Sequence, residues 1–222
     1  SGFSVAAHLD SEIMIMDEVL LNPFNVYKVH GNDYLKLLTC CTVNTFRTFP
    51  IGKARHVIFC DNGGKVLVDG ICIRTGEEDY LAFNLVDPNF LNMQMGNPFK
   101  FECENLRENY AVIQLCGIHS LEVVEQVCRQ DLHDLRFMYS CKAKIDGKAV
   151  RILRTGMAGT LAYEIHTTAA DAPYVYQKLL DLDKKYGVQE IGRICYVNQH
   201  CEGSIFQLAE HYNIRFEMEG DK

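Results

Sequence analysis

The chain has 222 residues, of which 48% are hydrophobic and 23% charged, and its formal net charge is −7 at pH 7. This composition is typical of a globular protein and excludes disordered and fibrous chains. The basic residues are scattered along the sequence rather than clustered, which argues against nucleic acid as a partner. No apolar run approaches the roughly 18 residues that a membrane-spanning helix needs, so we also expect no membrane insertion.

The N-terminal residues lack the basic and apolar regions of a secretory signal peptide, so we expect a cytoplasmic protein. The ten cysteines include no Cys-x-x-Cys pair, and six of them occur singly within apolar stretches. We interpret these six as small buried hydrophobic residues and predict no structural metal. They are Cys60, Cys72, Cys103, Cys116, Cys128 and Cys141.

Two stretches of the sequence resemble each other at an offset of 86 residues. Residues 26–31 and 112–117 both indicate a strand that ends in glycine, and each is followed by the apolar periodicity of an amphipathic helix. A hairpin signal follows each helix, and a strand headed by Tyr80 or Tyr163 closes each half. Chance similarity would also explain the pattern, because any strand-helix unit repeats its own hydrophobic period.

The remaining stretches complete an α+β pattern. Residues 88–98 lack a clean period, and we predict a connection between the two halves there. A further helix is predicted over residues 171–186, with Gly187 as its stop. We therefore expect an α+β protein with mostly antiparallel sheet and two pseudo-equivalent halves, at about residues 20–87 and 105–186.

Polar residues interrupt this pattern at three places. Asp69 lies in the otherwise apolar strand segment 64–73, where a carboxylate must be solvated, paired or bound by a ligand. Glu164 follows a glycine-bearing loop at residues 155–160. The third place, residues 192–203, carries Arg193, Tyr196, Asn198 and Glu202. Each place also has an explanation without a function: Asp69 could be a strand-edge residue, and Glu164 could face solvent. The third segment could be a surface helix with mixed polar residues.

Three segments resemble motifs of the glycine-cleavage T-protein, or aminomethyltransferase, superfamily. Residues 52–69 resemble its Gly-Lys-Ala…Gly-x-Val-Ile-Asp-Asp stretch, with Asp69 at the second aspartate. Residues 80–84 resemble a strand that ends in a folate-contacting asparagine, here Asn84. Residues 154–165 resemble the Thr-Gly…Gly-Tyr-Glu-Ile motif. The three motifs occur in the family's order.

The resemblance implies a single folate-binding domain over residues 1–222, built from two interlocked β-α-β halves, with tetrahydrofolate as its cofactor. It implies that Asp69 lies near the reactive folate nitrogen and that Glu164 grips the pterin ring, since a carboxylate offers two adjacent acceptors. An arginine such as Arg193 suits the glutamyl carboxylates of folate. The cofactor-binding residues that the resemblance implies are Asn84, Tyr163, Glu164 and Arg193.

Departures from the family pattern favour one branch of the superfamily. The Asp-x-Ser-His-Met element is absent near residues 20–24, and Val68 replaces the first aspartate of the pair. The Asp-Gly step after the hairpin and the Gly-Met-Ala-Gly stretch before Tyr163 are more similar to folate-dependent O-demethylases and their relatives. The resemblance therefore implies methyl transfer from a methoxylated or methylated small molecule to N5 of tetrahydrofolate.

The implied catalytic residues are Asp69, which would orient the pterin, and Tyr196, which would protonate the leaving oxygen. The implied substrate-binding residues are His56, Asn198 and Glu202. Residues 213–222 show no sign of the family's C-terminal barrel, so we expect a missing domain or a homo-oligomer. Two alternatives stay open, namely an aminomethyltransferase with a lipoylated carrier and a folate-binding module without catalysis.

Overall fold

The computed structural model describes residues 25–156, 159–191, 198 and 201–204. All strand pairings in this part of the chain are antiparallel. The strands are β1 (Val26–His30), β2 (Ala54–Cys60), β3 (Val66–Arg74), β4 (Asp79–Phe83), β5 (Glu102–Asn105), β6 (Tyr110–Cys116), β7 (Ser140–Ile145), β8 (Lys148–Leu153) and β9 (Ala162–Thr168). The helices are α1 (Asp33–Cys41), α2 (Pro88–Gln94), α3 (Ser120–Cys128), α4 (Ala172–Leu180) and α5 (Asp183–Tyr186).

The two halves of the sequence form two equivalent sheets. The first has the strand order β2-β3-β4-β1-β5, and the second has the order β6-β9-β8-β7. When the second sheet is read from its opposite edge, its order β7-β8-β9-β6 matches the order β2-β3-β4-β1 of the first sheet. The pairing register repeats as well, because Val29 faces Tyr80 in the first sheet and Leu115 faces Tyr163 in the second. The strand-helix repeat predicted from the sequence is therefore a repeat of tertiary structure.

The halves interlock through residues that the repeat makes equivalent. The backbone N–H of Ala54 donates to the carbonyl of Met138, and the N–H of Ser140 donates to the carbonyl of Gly52, both over 2.7 Å. The offset of 86 carries Gly52 to Met138 and Ala54 to Ser140, so the two hydrogen bonds are a symmetric pair. This confirms the predicted α+β fold with two interlocked halves and antiparallel sheets.

Helices cover the outer face of each sheet, and the inner faces pack against each other. Helix α1 packs Tyr34, Leu37 and Leu38 onto the first sheet, and α3 and α4 pack onto the second. Because side chains alternate along a strand, each strand contributes to an outer core and to the layer between the sheets. That inner layer contains Ala54, Ile73 and Leu153, with Ile71, Leu81, Phe83 and Met138 against them.

Two of the predicted elements differ in the structure. The predicted connection between the halves at residues 88–98 contains a helix that the sequence did not indicate, since α2 occupies its first half. The Asp87 side chain accepts hydrogen bonds from the backbone of Asn89 and Phe90, and proline at the first helical position supports the same start. Phe90 and Met93 are exposed, so the helix lacks the apolar period that would predict it. The predicted helix over residues 171–186 is divided into α4 and α5, and Gly187 ends it with φ of 66°.

Gly70 allows the end of β4 to cross β3 at close range. A Cβ atom at this position would lie 2.2 Å from the carbonyl oxygen of Phe83 and 2.7 Å from that of Asn84. Contacts this short force the backbone to move. The approach brings Asn84 beside Asp69, so Gly70 contributes to the geometry of the candidate site described below.

We expect Gly70→Ala to lower the free energy of unfolding by about 1–3 kcal/mol, because the added methyl group overpacks the strand crossing. Urea denaturation would measure this change. Gly63→Ala in the exposed hairpin is the matched control, since its Cβ would meet nothing closer than Asp61 Oδ1 at 3.3 Å. The control should change stability by about 0.5 kcal/mol or less. Equal losses from both substitutions would contradict the prediction.

Candidate functional site

Two carboxylates project from the two sheets into the layer between them. Asp69 alternates with outward-facing residues of β3 and shares the inner face with Ile71 and Ile73. Glu164 lies between Tyr163 and Ile165, both of which are buried in the outer core of the second sheet. The Asp69 and Glu164 side chains are only 15% and 17% exposed. The alternative that Glu164 is a solvent-facing strand residue therefore does not describe this structure.

His56 forms an ion pair with Asp69 through its Nε2 atom. The two side chains come from neighbouring strands, since Ile58 of β2 faces Asp69 of β3 in the register. Hydrogen bonding to the Asp69 carboxylate raises the pKa of His56, although partial burial opposes the shift. The His56 ring is 53% exposed, so one side of it is open to solvent. The pair thus forms the outer edge of the site.

Asn84 supports the backbone that carries Asp69. Its φ of 53° lies in the left-handed region, where asparagine is more readily accommodated than most residues. The Asn84 Nδ2 atom donates to the carbonyl oxygen of Asp69 over 2.7 Å, and its backbone N–H donates to Asn25. The structure therefore brings the predicted cofactor contact Asn84 directly beside the predicted catalytic residue Asp69.

His166 lies two residues after Glu164 and contacts it on the same face of β9. Its Nε2 atom is 3.1 Å from Glu164 Oε2, and the histidine side chain is almost completely buried. The imidazole ring packs edge-on against Phe83 at a centroid distance of 5.0 Å and against Tyr110 at 5.9 Å. These ring contacts limit the movement of the imidazole, so one oxygen of Glu164 is held from inside the layer.

Gln114 is a polar residue of the same surface that the sequence analysis did not single out. It faces Glu164 directly in the β6-β9 register, and it is buried with 4% exposure. Its Nε2 atom has no hydrogen-bond partner among the described residues. A glutamine within the apolar segment 110–116 was a visible signal, but only the strand register shows that it lies opposite Glu164.

The remaining predicted site residues are placed differently. The Tyr163 side chain is buried in the outer core between β9 and the helices, on the opposite face of the strand from Glu164. Asn198 and Glu202 are helical and exposed. Arg193 and Tyr196 lie outside the described residues. The roles assigned to these five residues remain predictions.

Two described residues at the ends of the polar C-terminal segment lie near the second sheet. Ile191, which directly precedes residues 192–197, packs against Cys116 and Ala162. Gly203 lies so close to the loop before β9 that a Cβ atom on Gly159 would be 2.6 Å from its Cα atom. Ile191 and Gly203 therefore lie near β9, the strand that carries Glu164, and near the loop that precedes it.

Within residues 25–156, 159–191, 198 and 201–204, no group of three or more His, Cys, Asp or Glu side chains is arranged to hold a metal ion. Among the helices of the same residues, none is both long and apolar enough to cross a membrane. The side-chain groups of the candidate site are carboxylates, imidazoles, carboxamides and aromatic rings.

Comparison with known proteins agrees with this architecture. The family model described as "GCVT N-terminal domain" matches residues 8–211. The aminomethyltransferase T of the glycine cleavage system from Bartonella henselae superimposes with a TM-score of 0.73 at 16% sequence identity. That match covers 94% of this chain and 53% of the Bartonella chain, and it establishes the shared fold.

Two curated relatives are similar in sequence. Sesamin methylene transferase from Sinomonas sp. (strain No.22) is 35% identical over 187 residues, which are 84% of this chain and 41% of that protein. An aminomethyltransferase from Saccharopolyspora erythraea is 26% identical over 172 residues, which are 76% of this chain and 47% of that protein. The chain thus spans somewhat less than half the length of these two curated relatives.

We expect Asp69→Asn to lower the pKa of His56 towards its ordinary value of 6.5, because the neutral amide no longer stabilises the imidazolium. An NMR titration of the His56 ring protons would measure the shift. Since the folded-state pKa is raised, the stabilisation from this pair is fully present below about pH 6.5 and is lost as the pH rises through the folded-state pKa.

His30 provides an internal control for this titration. Its Nδ1 atom is 2.9 Å from Asp79 Oδ1, and this hydrogen bond raises the pKa of His30 in the same way, but on strands β1 and β4. The His30 midpoint should be the same in Asp69→Asn as in the unsubstituted protein. A His56 midpoint that does not move in the variant would show that Asp69 is not its charge partner.

Proposed function

Since the chain belongs to the GCVT N-terminal domain family, whose members include folate-dependent one-carbon transferases, we propose that it transfers a methyl group from a methoxylated or methylated small molecule to tetrahydrofolate. The product would be 5-methyltetrahydrofolate. The observation that carries the proposal is the placement of Glu164, which lies in the layer between the sheets with one oxygen held by His166.

The polar groups between the sheets are complementary in type to the hydrogen-bonding groups of a reduced folate. Asp69 and Glu164 supply carboxylate acceptors from opposite sheets, and Phe83 supplies an aromatic ring. The Gln114 Nε2 atom is a buried donor with no partner among the described residues. A pterin ring combines N–H donors with a carbonyl acceptor, so it can pair with both kinds of group.

Each protein group then has a role that follows from its contacts. Bound tetrahydrofolate supplies the nucleophilic N5 atom that accepts the one-carbon unit. Glu164 binds and orients the cofactor, and His166 holds the carboxylate in the orientation that binding requires. Asp69 lies on the facing sheet beside Asn84 and fixes the other side of the heterocycle. Positioning of donor carbon and acceptor nitrogen supplies much of the rate acceleration in such transfers.

The open side of the site is assigned to the substrate. His56 is half-exposed and paired to Asp69, so its outward N–H can reach a polar group of the methyl donor. The exposed side chains of Asn198 and Glu202 are proposed to contact the same molecule. The relative named sesamin methylene transferase supports a small organic molecule as donor. A second domain or a second copy of the chain is proposed to complete this side.

The second candidate function is that of an aminomethyltransferase, and the Saccharopolyspora erythraea relative supports it. The absence of the family's Asp-x-Ser-His-Met element and the replacement of an aspartate by Val68 favour the methyl-transfer function instead. The two candidates differ in their donor, which is a free small molecule in one case and a lipoylated carrier protein in the other.

We expect Glu164→Gln to weaken tetrahydrofolate binding by about tenfold to a hundredfold, because charge-assisted hydrogen bonds are replaced by weaker neutral ones. Isothermal titration calorimetry would measure the dissociation constant. Glu102→Gln on the exposed edge strand β5 is the matched control and should bind like the unsubstituted chain. Equal affinity in Glu164→Gln and the control would remove Glu164 from the binding site.

The class of methyl donor can be tested with the protein bound to tetrahydrofolate. Incubation with tetrahydrofolate and a panel of methoxylated aromatics and sulfonium compounds should yield 5-methyltetrahydrofolate, detected by mass spectrometry. A parallel reaction with an aminomethylated lipoyl carrier should release no ammonia. Ammonia release without formation of 5-methyltetrahydrofolate would favour the aminomethyltransferase function.

Tyr196 is proposed as the acid that protonates the leaving oxygen of the methyl donor. Tyr196→Phe removes this proton while preserving the ring, so we expect turnover to fall by about a hundredfold, as general-acid contributions commonly do. The rate of 5-methyltetrahydrofolate formation under saturating cofactor measures the effect. Unchanged turnover with an aryl ether donor would remove the assignment.

A further inference from the structure

We propose that the inner face of strands β7 and β8 carries a second binding site, in which Arg151, Lys142 and Lys144 bind the oxyanion of a phosphate or carboxylate group. These three residues are called the basic cluster below. The site lies on other strands than Asp69 and Glu164, and it goes beyond the proposed function because it needs no folate.

The strand register holds two positive charges directly opposite each other. Lys142 and Arg151 are direct partners in the antiparallel pairing of β7 with β8, so their side chains lie on the same face of the sheet. The next pair on this face is Ser140 and Leu153, and Leu153 belongs to the layer between the sheets. Lys144 follows Lys142 by two residues and is exposed on the same face. The inner face of this hairpin is therefore cationic.

The basic cluster lacks the negative charge that would compensate it. Like charges directly opposite each other destabilise a sheet. Although acidic residues outnumber basic ones in the whole chain, no carboxylate of the described ranges forms an ion pair with the cluster. Glu164 contacts His166 instead, and Asp146 in the turn between β7 and β8 pairs with Lys178. A bound anion would supply the missing charge.

Arg151 is the anchor of the cluster. Its Nη1 atom donates to Ser140 Oγ over 3.0 Å, so the guanidinium is positioned by a neutral oxygen and keeps further N–H groups for a ligand. The side chain is partly buried, and this desolvation lowers the pKa of Arg151. Because the guanidinium is planar, two of its N–H groups can pair with two oxygens of one phosphate or carboxylate. Partial burial also reduces the screening of its charge by salt.

The internal repeat gives the same location a different chemistry in each half. Lys142 is equivalent to His56 under the offset of 86, and the strand registers make Ala149 the equivalent of Asp69. The first half therefore carries a histidine and a carboxylate at this location. The second half has no carboxylate there and adds Arg151, so the location is cationic. Both His56 and Lys142 are exposed, which leaves the location open to solvent in each half.

The test uses inorganic phosphate and glutarate as probes, without folate. We expect saturable binding of at least one probe, seen in an NMR titration as shifts of the backbone amides of Ser140, Lys142 and Arg151 and of the Arg151 Nε–H group. Sodium chloride at equal ionic strength corrects for screening. Binding of phosphate alone would support the inference with a phosphoryl group as ligand, and binding of glutarate alone would support it with a carboxylate.

Lys142→Glu is the decisive variant, because it converts the like-charge pair into an ion pair with Arg151. We expect the urea midpoint of the unliganded protein to rise, since the cross-strand repulsion is replaced by attraction. We expect the dissociation constant of the bound probe to increase by about tenfold or more, because the site loses one positive charge and gains a negative one. Lys36→Gln, at an exposed position of helix α1, is the matched control and should bind the probe like the unsubstituted chain.

Three results would overturn the inference. The first is the lack of saturable binding of either probe by the unsubstituted chain, and the second is equal affinity in Lys142→Glu and the Lys36→Gln control. The third is a lower urea midpoint in both Lys142→Glu and Lys142→Gln, which would show that Lys142 stabilises the unliganded sheet. Since folate takes no part in these measurements, their result is independent of the proposed function.

Discussion

The packing of two antiparallel sheets through their inner faces is the constraint on which the candidate site depends. Each half buries its apolar outer face under helices, and the alternation of side chains along the strands then directs every second residue into the layer between the sheets. Asp69 reaches this layer from one sheet and Glu164 from the other. The interlocking hydrogen bonds between Ala54 and Met138 and between Ser140 and Gly52 keep the sheets together.

The two halves share the same strand arrangement, but they carry different side chains at equivalent positions of the inner face. Lys28 faces Leu81 in the first sheet, and the equivalent pair in the second sheet is Gln114 and Glu164. An aliphatic residue at one position thus corresponds to a carboxylate at the other. The rings of Phe83 and its equivalent His166 contact each other at 5.0 Å between the sheets, so one half supplies the apolar ring and the other the polar one.

The polar groups of the inner layer reduce the stability of the unliganded fold. The Gln114 Nε2 and His166 Nδ1 atoms are buried and have no hydrogen-bond partner among the described residues. Sites that bind ligands tightly often carry such groups, because pre-positioned donors and acceptors are satisfied only when the ligand is present.

Local sequence signals determined much of this protein. The apolar periods and glycines predicted both strand-helix units, and Asp69 and Glu164 stood out as carboxylates in strand segments. The hairpin predicted after the second helix turns at Asp146 and Gly147, with φ of 47° and 87°. Helix α2 was missed because its start depends on capping rather than on an apolar face. Only the tertiary structure decided the pairing of Gln114 with Glu164 and of His56 with Asp69. Strand register and sheet packing join residues far apart in sequence, and no local pattern encodes such contacts.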